Sequence, residues 1–171
     1  MRGFTLIEIM VTSVVLAVLI VGLFLVLSLG QRSWLTADTG IQLRQDISRA
    51  LMVMSQELKQ TSASKINIAL NGSASSIRFK LPQDTNGDGS IVDSTGNIEW
   101  SGYITYSLNA SNQVVRSVDG GTTSIIANNI SALTFTRVLS EVIQIDIAAS
   151  KAADTGKTIE DSDQIILKLR N

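Results

Sequence analysis

The chain has 171 residues, with 14 Lys and Arg against 15 Asp and Glu, and it contains neither Cys nor His. Without these two residue types the chain has no disulfides, no His-based catalytic triad and no imidazole base, and most zinc sites are excluded. A net charge of −1, with no cluster of Lys or Arg, does not suit a nucleic-acid-binding protein. The length is enough for one domain and an anchoring segment.

The first predicted element is an apolar run near the N terminus. From Ile9 to Leu29 there is no charged residue, and as a helix this run would be about 30 Å long, which is enough to cross a bilayer. A buried helix of a soluble protein and a cleaved signal peptide are the alternatives. Ser28-Leu29-Gly30 would suit signal cleavage, but the run is longer than a usual signal core. We therefore predict a membrane-spanning helix.

An amphipathic pattern follows without a break in helix-forming character. Apolar residues recur at the spacing of one helix face: Leu43, Ile47, Ala50, Leu51, Met54 and Leu58. We predict one long helix from about Phe4 to about Gln60, ended by the Ser-rich segment Thr61–Lys65. Three glycines mark positions where this helix would bend or fray: Gly22, Gly30 and Gly40.

From residue 66 onward the apolar residues alternate with polar ones, which is typical of strands with one buried face. Six or so short strands are predicted, within Ser75–Leu81, Tyr103–Leu108, Gln113–Val118, Ala132–Val138, Val142–Ala148 and Gln164–Arg170. Turns are predicted at Asn109–Asn112 and Asp119–Gly121, the second followed by a further candidate strand. The stretch 150–163 reads as a long polar loop. The predicted class is α+β, with the long N-terminal helix packed on an antiparallel sheet.

The segment GFTLIEIM, Gly3–Met10, resembles the N-terminal signature of type IV prepilins and type II secretion pseudopilins. The resemblance implies that prepilin peptidase cleaves between Gly3 and Phe4, that Phe4 is then N-methylated, and that Glu8 takes part in assembly. It divides the chain into a leader (1–3), a transmembrane and filament-core helix (4–30), an amphipathic helix (31–62) and a β-rich head (63–171).

The same resemblance implies a structural subunit and not an enzyme. Such a subunit spans the bacterial inner membrane once, with its head in the periplasm, and then enters a pilus or pseudopilus. Its partners would be other pilin or pseudopilin subunits and the prepilin peptidase. The order of helix, β-rich head and terminal LKLRN is similar to minor pilins of the PilW type and to J-type pseudopilins. Both a minor pilin that helps initiate or cap a type IV pilus and a J-type pseudopilin of a secretion system stay open.

Glu8 is a carboxylate at the edge of a segment that would lie in hydrocarbon. Such a group must find a partner or take up a proton. The resemblance implies that Glu8 pairs with the Phe4 amine of an adjacent subunit. The alternative is that Glu8 reaches the headgroup layer and interacts with the positive N-terminal end of its own helix.

A possible calcium loop begins at Asp84 in the sequence DTNGDGSIVDSTG. Oxygen-bearing side chains alternate there as in the first half of an EF-hand loop, and Gly89 occupies the position of the sharp turn. The glutamate expected at the twelfth position is replaced by Thr95. The predicted ligands are Asp84, Asn86, Asp88, Ser90 and Asp93. A polar surface turn is the alternative.

A membrane-anchored enzyme and a binding module are two less favoured classes of function for the chain. A membrane-anchored enzyme would need a carboxylate pair, and the acidic clusters are Asp84 with Asp88 and the group Glu160, Asp161 and Asp163. A binding module would use aromatic side chains, for which Trp100, Tyr103 and Tyr106 are the candidates.

Overall fold

The computed structural model describes residues 5–170. Helix α1 spans Leu6–Leu58, and a short 3-10 helix spans Ala63–Lys65. Eight strands follow within the described residues: β1 (Ser73–Ala74), β2 (Ser76–Phe79), β3 (Ile104–Leu108), β4 (Val114–Val118), β5 (Thr123–Ala127), β6 (Ile130–Leu139), β7 (Val142–Ala152) and β8 (Thr158–Lys168).

The strands form two antiparallel four-stranded sheets. The first sheet has the order β1-β6-β7-β8, and the second has the order β2-β3-β4-β5. Strands β3 and β4 are joined by the predicted turn, in which Asn112 has a φ of 57°, a left-handed conformation that Asn tolerates better than most residues. The α+β class predicted from the sequence is confirmed.

One face of the C-terminal half of α1 is buried against the head. All six residues of the predicted face are buried: Leu43, Ile47, Ala50, Leu51, Met54 and Leu58. Strands β5, β7 and β8 contact the helix, so both sheets share this seam. Burial of each large apolar side chain contributes about 2 kcal/mol, which makes the seam a main source of the head's stability. The helix is continuous through Gly22, Gly30 and Gly40.

The prediction of a long polar loop at 150–163 is wrong. Strands β7 and β8 stay in register to the pairs Lys151↔Ile159 and Ala152↔Thr158, and only residues 153–157 form the turn. One face of this hairpin lies toward α1, where the Ile159 side chain approaches within 4.0 Å of the position a Cβ would take on Gly40. Polar residues predominate here because most of this part of the hairpin is solvent-exposed. The backbone hydrogen bonds between β7 and β8 hold the two strands together without an alternating apolar pattern.

A polar cluster ties the end of α1 to the second sheet. The hydroxyl of Tyr106 donates to Glu57 Oε2 at 2.7 Å, and Arg116 Nε and Nη2 each lie 3.0 Å from Glu57 Oε1. Burial, with the contribution of the Glu57 carboxylate, raises the pKa of Tyr106 well above its usual range. The hydrogen bond to Glu57 also raises the pKa of Arg116. The Tyr106 ring stacks on Phe79 at a centroid distance of 5.7 Å, so the cluster is continuous with the apolar core.

We expect Glu57→Ala to lower the free energy of unfolding by about 2 kcal/mol, because it leaves the partly buried Arg116 and the fully buried Tyr106 without their acceptor. This value is below the cost for a fully buried pair because the Glu57 and Arg116 side chains are 21% and 24% exposed. The measurement is urea unfolding of the full chain in detergent micelles, followed by near-ultraviolet circular dichroism.

The matched control is Glu160→Ala, which removes an exposed carboxylate from β8 and should change stability by less than about 0.5 kcal/mol. If Glu57→Ala and Arg116→Ala were additive in the double variant, the two side chains would not be energetically coupled and the cluster would not stabilise the fold as argued.

Candidate functional site

The first half of α1 has no packing partner in the described chain. Every large apolar side chain from Leu6 to Leu29 is exposed, and Phe24 is 70% exposed. The most apolar window of this helix has a mean hydropathy of 3.0 and is not buried at all, so its length and composition suit a membrane span. An exposed apolar surface this large marks a contact with lipid or with other protein chains.

The few polar side chains of this segment satisfy their own hydrogen bonds. The hydroxyls of Thr12, Ser13 and Ser28 donate to the carbonyl oxygens of Glu8, Met10 and Leu25 at 2.8–2.9 Å. Because each donor is satisfied within the helix, these three residues can lie in hydrocarbon without an unpaired hydroxyl.

Glu8 lies in the first turn of α1, where its backbone N–H donates to the carbonyl of Thr5 at 3.1 Å. The positive end of the helix dipole favours a carboxylate at this position. Within residues 5–170 no basic side chain forms an ion pair with Glu8. Gly3 and Phe4 lie outside the described residues, so cleavage between them, methylation of Phe4 and the role of its amine stay predictions.

The predicted calcium loop forms a tight turn around Asp84. The two carboxylate oxygens of Asp84 accept hydrogen bonds from the backbone N–H groups of Gly87 and Gly89 at 2.6 and 2.8 Å. These hydrogen bonds hold the pKa of the Asp84 carboxyl below its usual value. Asn86 Nδ2 donates to Asp88 Oδ2 at 3.1 Å, so three of the five predicted ligands are brought together.

The other two predicted ligands direct their side chains elsewhere. The Ser90 backbone N–H donates to Asp88 Oδ1 at 2.8 Å, but its hydroxyl exchanges hydrogen bonds with the backbone of Val92. Asp93 Oδ1 accepts the hydroxyl of Thr95 at 2.6 Å and the N–H of Asn97 at 2.9 Å in a separate turn, and these bonds lower its pKa. No group of three or more acidic side chains within residues 5–170 has the arrangement of a metal site.

Glu99 is a member of this loop that the sequence reasoning missed. Its carboxylate accepts the N–H and the hydroxyl of Thr85 at 2.6 and 2.7 Å and the Nδ2 group of Asn86 at 2.7 Å. It reaches the loop because Gln83 N–H bonds to the Glu99 carbonyl and Pro82 pairs with Trp100. No spacing rule predicts this pairing of two irregular segments, although an acidic residue just beyond the loop was a visible signal.

The three aromatic candidates do not form one patch. Tyr106 is fully buried against Glu57 and Phe79, whereas Tyr103 is on the surface with Arg78 4.1 Å and Lys80 4.6 Å from its ring centroid. Trp100 is half-buried with Lys65 Nζ 5.4 Å from its ring. Tyr103 and Tyr106 are three residues apart, so in an extended segment their side chains lie on opposite faces.

The acidic group Glu160, Asp161 and Asp163 lies in strand β8 and not in a loop. Asp161 Oδ2 accepts a hydrogen bond from Arg44 Nε at 3.0 Å, which joins the strand to α1. Asp163 pairs with Ile147 across the ladder, and Glu160 pairs with Ser150. The three acidic residues are therefore part of a paired strand, which contacts α1 through Asp161.

Comparison with protein families shows a match to the prokaryotic N-terminal methylation motif over residues 1–24. This range contains Gly3, Phe4 and Glu8, and it extends well into the exposed apolar half of α1. Comparisons with curated proteins and with solved structures gave no match. The motif supports a type IV pilin-like or pseudopilin-like subunit that is processed at its N terminus, and with the apolar helix it fits anchoring in the inner membrane.

We propose that the loop around Asp84 binds calcium. We expect calcium at about millimolar concentration to raise the thermal unfolding temperature of the full chain in detergent micelles, because weak oxygen-ligand sites bind in that range. Asp84→Asn should abolish the response. The matched control Asp154→Asn, in the β7–β8 turn, should retain it. An unchanged unfolding temperature in the unsubstituted chain would favour a simple polar turn.

Proposed function

We propose that this chain is a minor pilin that helps initiate or cap assembly of a type IV pilus. The chain is cleaved between Gly3 and Phe4, methylated on Phe4 and held in the inner membrane by the first half of α1, with its head in the periplasm. The apolar half-helix then leaves the lipid and packs against the helices of neighbouring subunits. Calcium is the one candidate cofactor.

The observation that carries this proposal is the position of the methylation motif on α1. The motif covers residues 1–24, so it overlaps the beginning of a single 53-residue helix that starts at Leu6. The first half of that helix presents apolar side chains on its whole circumference, and its second half carries a folded head. Such a helix can exchange lipid for other helices without unfolding the head, because the head packs only on the second half.

A J-type pseudopilin of a type II secretion system is the alternative role for the same architecture. The two roles differ in the partner subunits and not in the processing of the chain. Copurification of the tagged full chain with minor pilins, or with secretion pseudopilins, would distinguish them.

The processing step predicts a specific mass for the mature protein. Mass spectrometry of the N-terminal peptide should show a chain that begins at Phe4 and carries one N-methyl group. In a strain without prepilin peptidase the same peptide should begin at Met1. Assembled material that retains Met1 would contradict the proposed cleavage.

The pairing role of Glu8 predicts a defect in assembly and not in membrane insertion. Glu8→Ala should reduce incorporation into filaments at least about tenfold, because loss of one partner from a desolvated ion pair costs about 3–5 kcal/mol. Quantitative immunoblots of sheared filaments and of the membrane fraction measure the two quantities separately.

Ser13→Ala is the matched control, since Ser13 lies near Glu8 in the same apolar segment and its hydroxyl bonds only within the helix. This variant should incorporate like the unsubstituted chain. Normal incorporation of Glu8→Ala would show that the carboxylate has no role in docking, even if the chain is processed as proposed.

A further inference from the structure

A short part of α1 between the apolar segment and the packed half carries an exposed aromatic side chain. The apolar run ends at Leu29, and the first buried residue of the helix is Thr39. Between them, Trp34 is 76% exposed and is not among the residues packed against the core. The packing of the head therefore does not account for a tryptophan at this position.

The depth of Trp34 follows from helix geometry. If the run from Ile9 to Leu29 fills a hydrocarbon core of about 30 Å, Trp34 lies about 7 Å beyond it. The headgroup layer on each side of a bilayer is about 5–7 Å thick. Because Cα–Cβ bonds in a helix tilt toward its N terminus, the indole leans back toward the apolar segment. Trp34 is thus placed at the level of the lipid headgroups, where tryptophan is enriched in membrane proteins.

The β7–β8 turn reaches the same level from the head. The hydroxyl oxygens of Thr36 on the helix and Thr155 in the turn are 3.4 Å apart. Thr36 lies about 10 Å beyond Leu29 along the helix axis. The turn of residues 153–157 is therefore about 3 Å above Trp34 along the axis, and it lies just beyond the outer edge of the headgroup layer, next to its surface.

Charges at this level are balanced in sign. Arg32 and Lys157 are exposed cations, and Asp38 and Asp154 are exposed carboxylates on the same two elements. Since the cations do not exceed the anions, attraction to an anionic surface does not drive the contact. The indole and the hydrogen-bonding groups of the turn suit a layer of lipid phosphates and ester carbonyls, whatever its net charge.

We propose that Trp34 and the turn of residues 153–157 form an interfacial contact with the headgroup layer of the phospholipid bilayer that holds α1. This contact sets the depth of the apolar segment and the height of the head above the membrane before assembly. The inference rests on the membrane anchoring in the proposed function, and it adds a lipid-facing site on the head itself.

The chain has two tryptophans, so single-tryptophan variants give a direct test. Trp100→Phe leaves Trp34 as the reporter, and the matched Trp34→Phe leaves Trp100 in the head. Each full-length variant is reconstituted into phosphatidylcholine vesicles whose acyl chains are brominated near the carbonyl end or near the methyl end. Flotation of the vesicles first establishes whether the chain is inserted.

Trp34 emission should be quenched, and more strongly by bromine near the carbonyl end than near the methyl end. Trp100 emission should be unaffected by either lipid. Flotation without quenching of Trp34 would overturn the interfacial contact but not the membrane anchoring. That result would fit a Trp34 that packs on a neighbouring helix. Failure to float would overturn the anchor and the contact together.

A second measurement tests the turn and does not depend on either tryptophan variant. The chain has no Cys, so Thr155→Cys gives a single labelling site for a fluorescent dye in the turn. Ser94→Cys places the same dye in an exposed loop between β2 and β3. This loop follows Lys80, whose carbonyl accepts the hydroxyl of Thr61 just beyond the C-terminal end of α1. A quencher attached to the lipid headgroup should dim the dye at residue 155 and not at residue 94. Equal signals from the two sites would show that the turn does not reach the headgroup layer.

Discussion

The structure depends on one constraint: the two halves of a single continuous helix need different surroundings. Helix α1 has 53 residues and is about 80 Å long. Only its second half is packed by the head, and the first half presents apolar side chains all around. Helices in proteins gain most of their stability from packing of an apolar face, so the first half of α1 needs lipid or other helices to cover it. The part of α1 that packs on the head and the part that carries the methylation motif are thus separate lengths of one helix.

Two carboxylates on this helix show how the constraint acts. Glu57 is held by Arg116 and Tyr106, and the three groups join the second sheet to the helix. Glu8 lies in the apolar half and has no such partner among the described residues. A carboxylate that must be desolvated is tolerated only with a partner or a proton. The chain supplies that partner for Glu57, whereas the partner that we propose for Glu8 is the Phe4 amine of an adjacent subunit.

The sequence predicts those parts of the fold that have a strong period. The buried face of α1 was predicted residue by residue, because its apolar spacing is regular and a long helix has room to show it. The β7–β8 hairpin was missed beyond Ala148 because register across the ladder, and not apolar alternation, holds residues 149–163. Strand β1 was missed because two residues carry no period.

The site was predictable where chemistry is local and not where it depends on contacts between distant segments. The signature around Glu8 lies within one stretch of sequence, and its match to the methylation motif is independent of the fold. The position of Glu99 in the acidic loop depends on how two irregular segments pair. The opposite placement of Tyr103 and Tyr106 was implicit in their spacing. The bounds of β3 were needed to establish it, because they show that this segment is extended.

The long edge strand β8 bears on which surface is free to associate. An exposed edge of eleven residues would invite pairing with a strand of another chain. Asp161 and Asp163 lie on the same sheet face as the buried residues Ala149 and Ile147, so this edge carries charges on its core-facing side. Inward charges are one way in which sheet edges resist such pairing, because a second strand would bury them. The apolar half of α1 is a different kind of surface, because a contact with lipid or with other chains is made there by side chains and the helix backbone is already hydrogen-bonded.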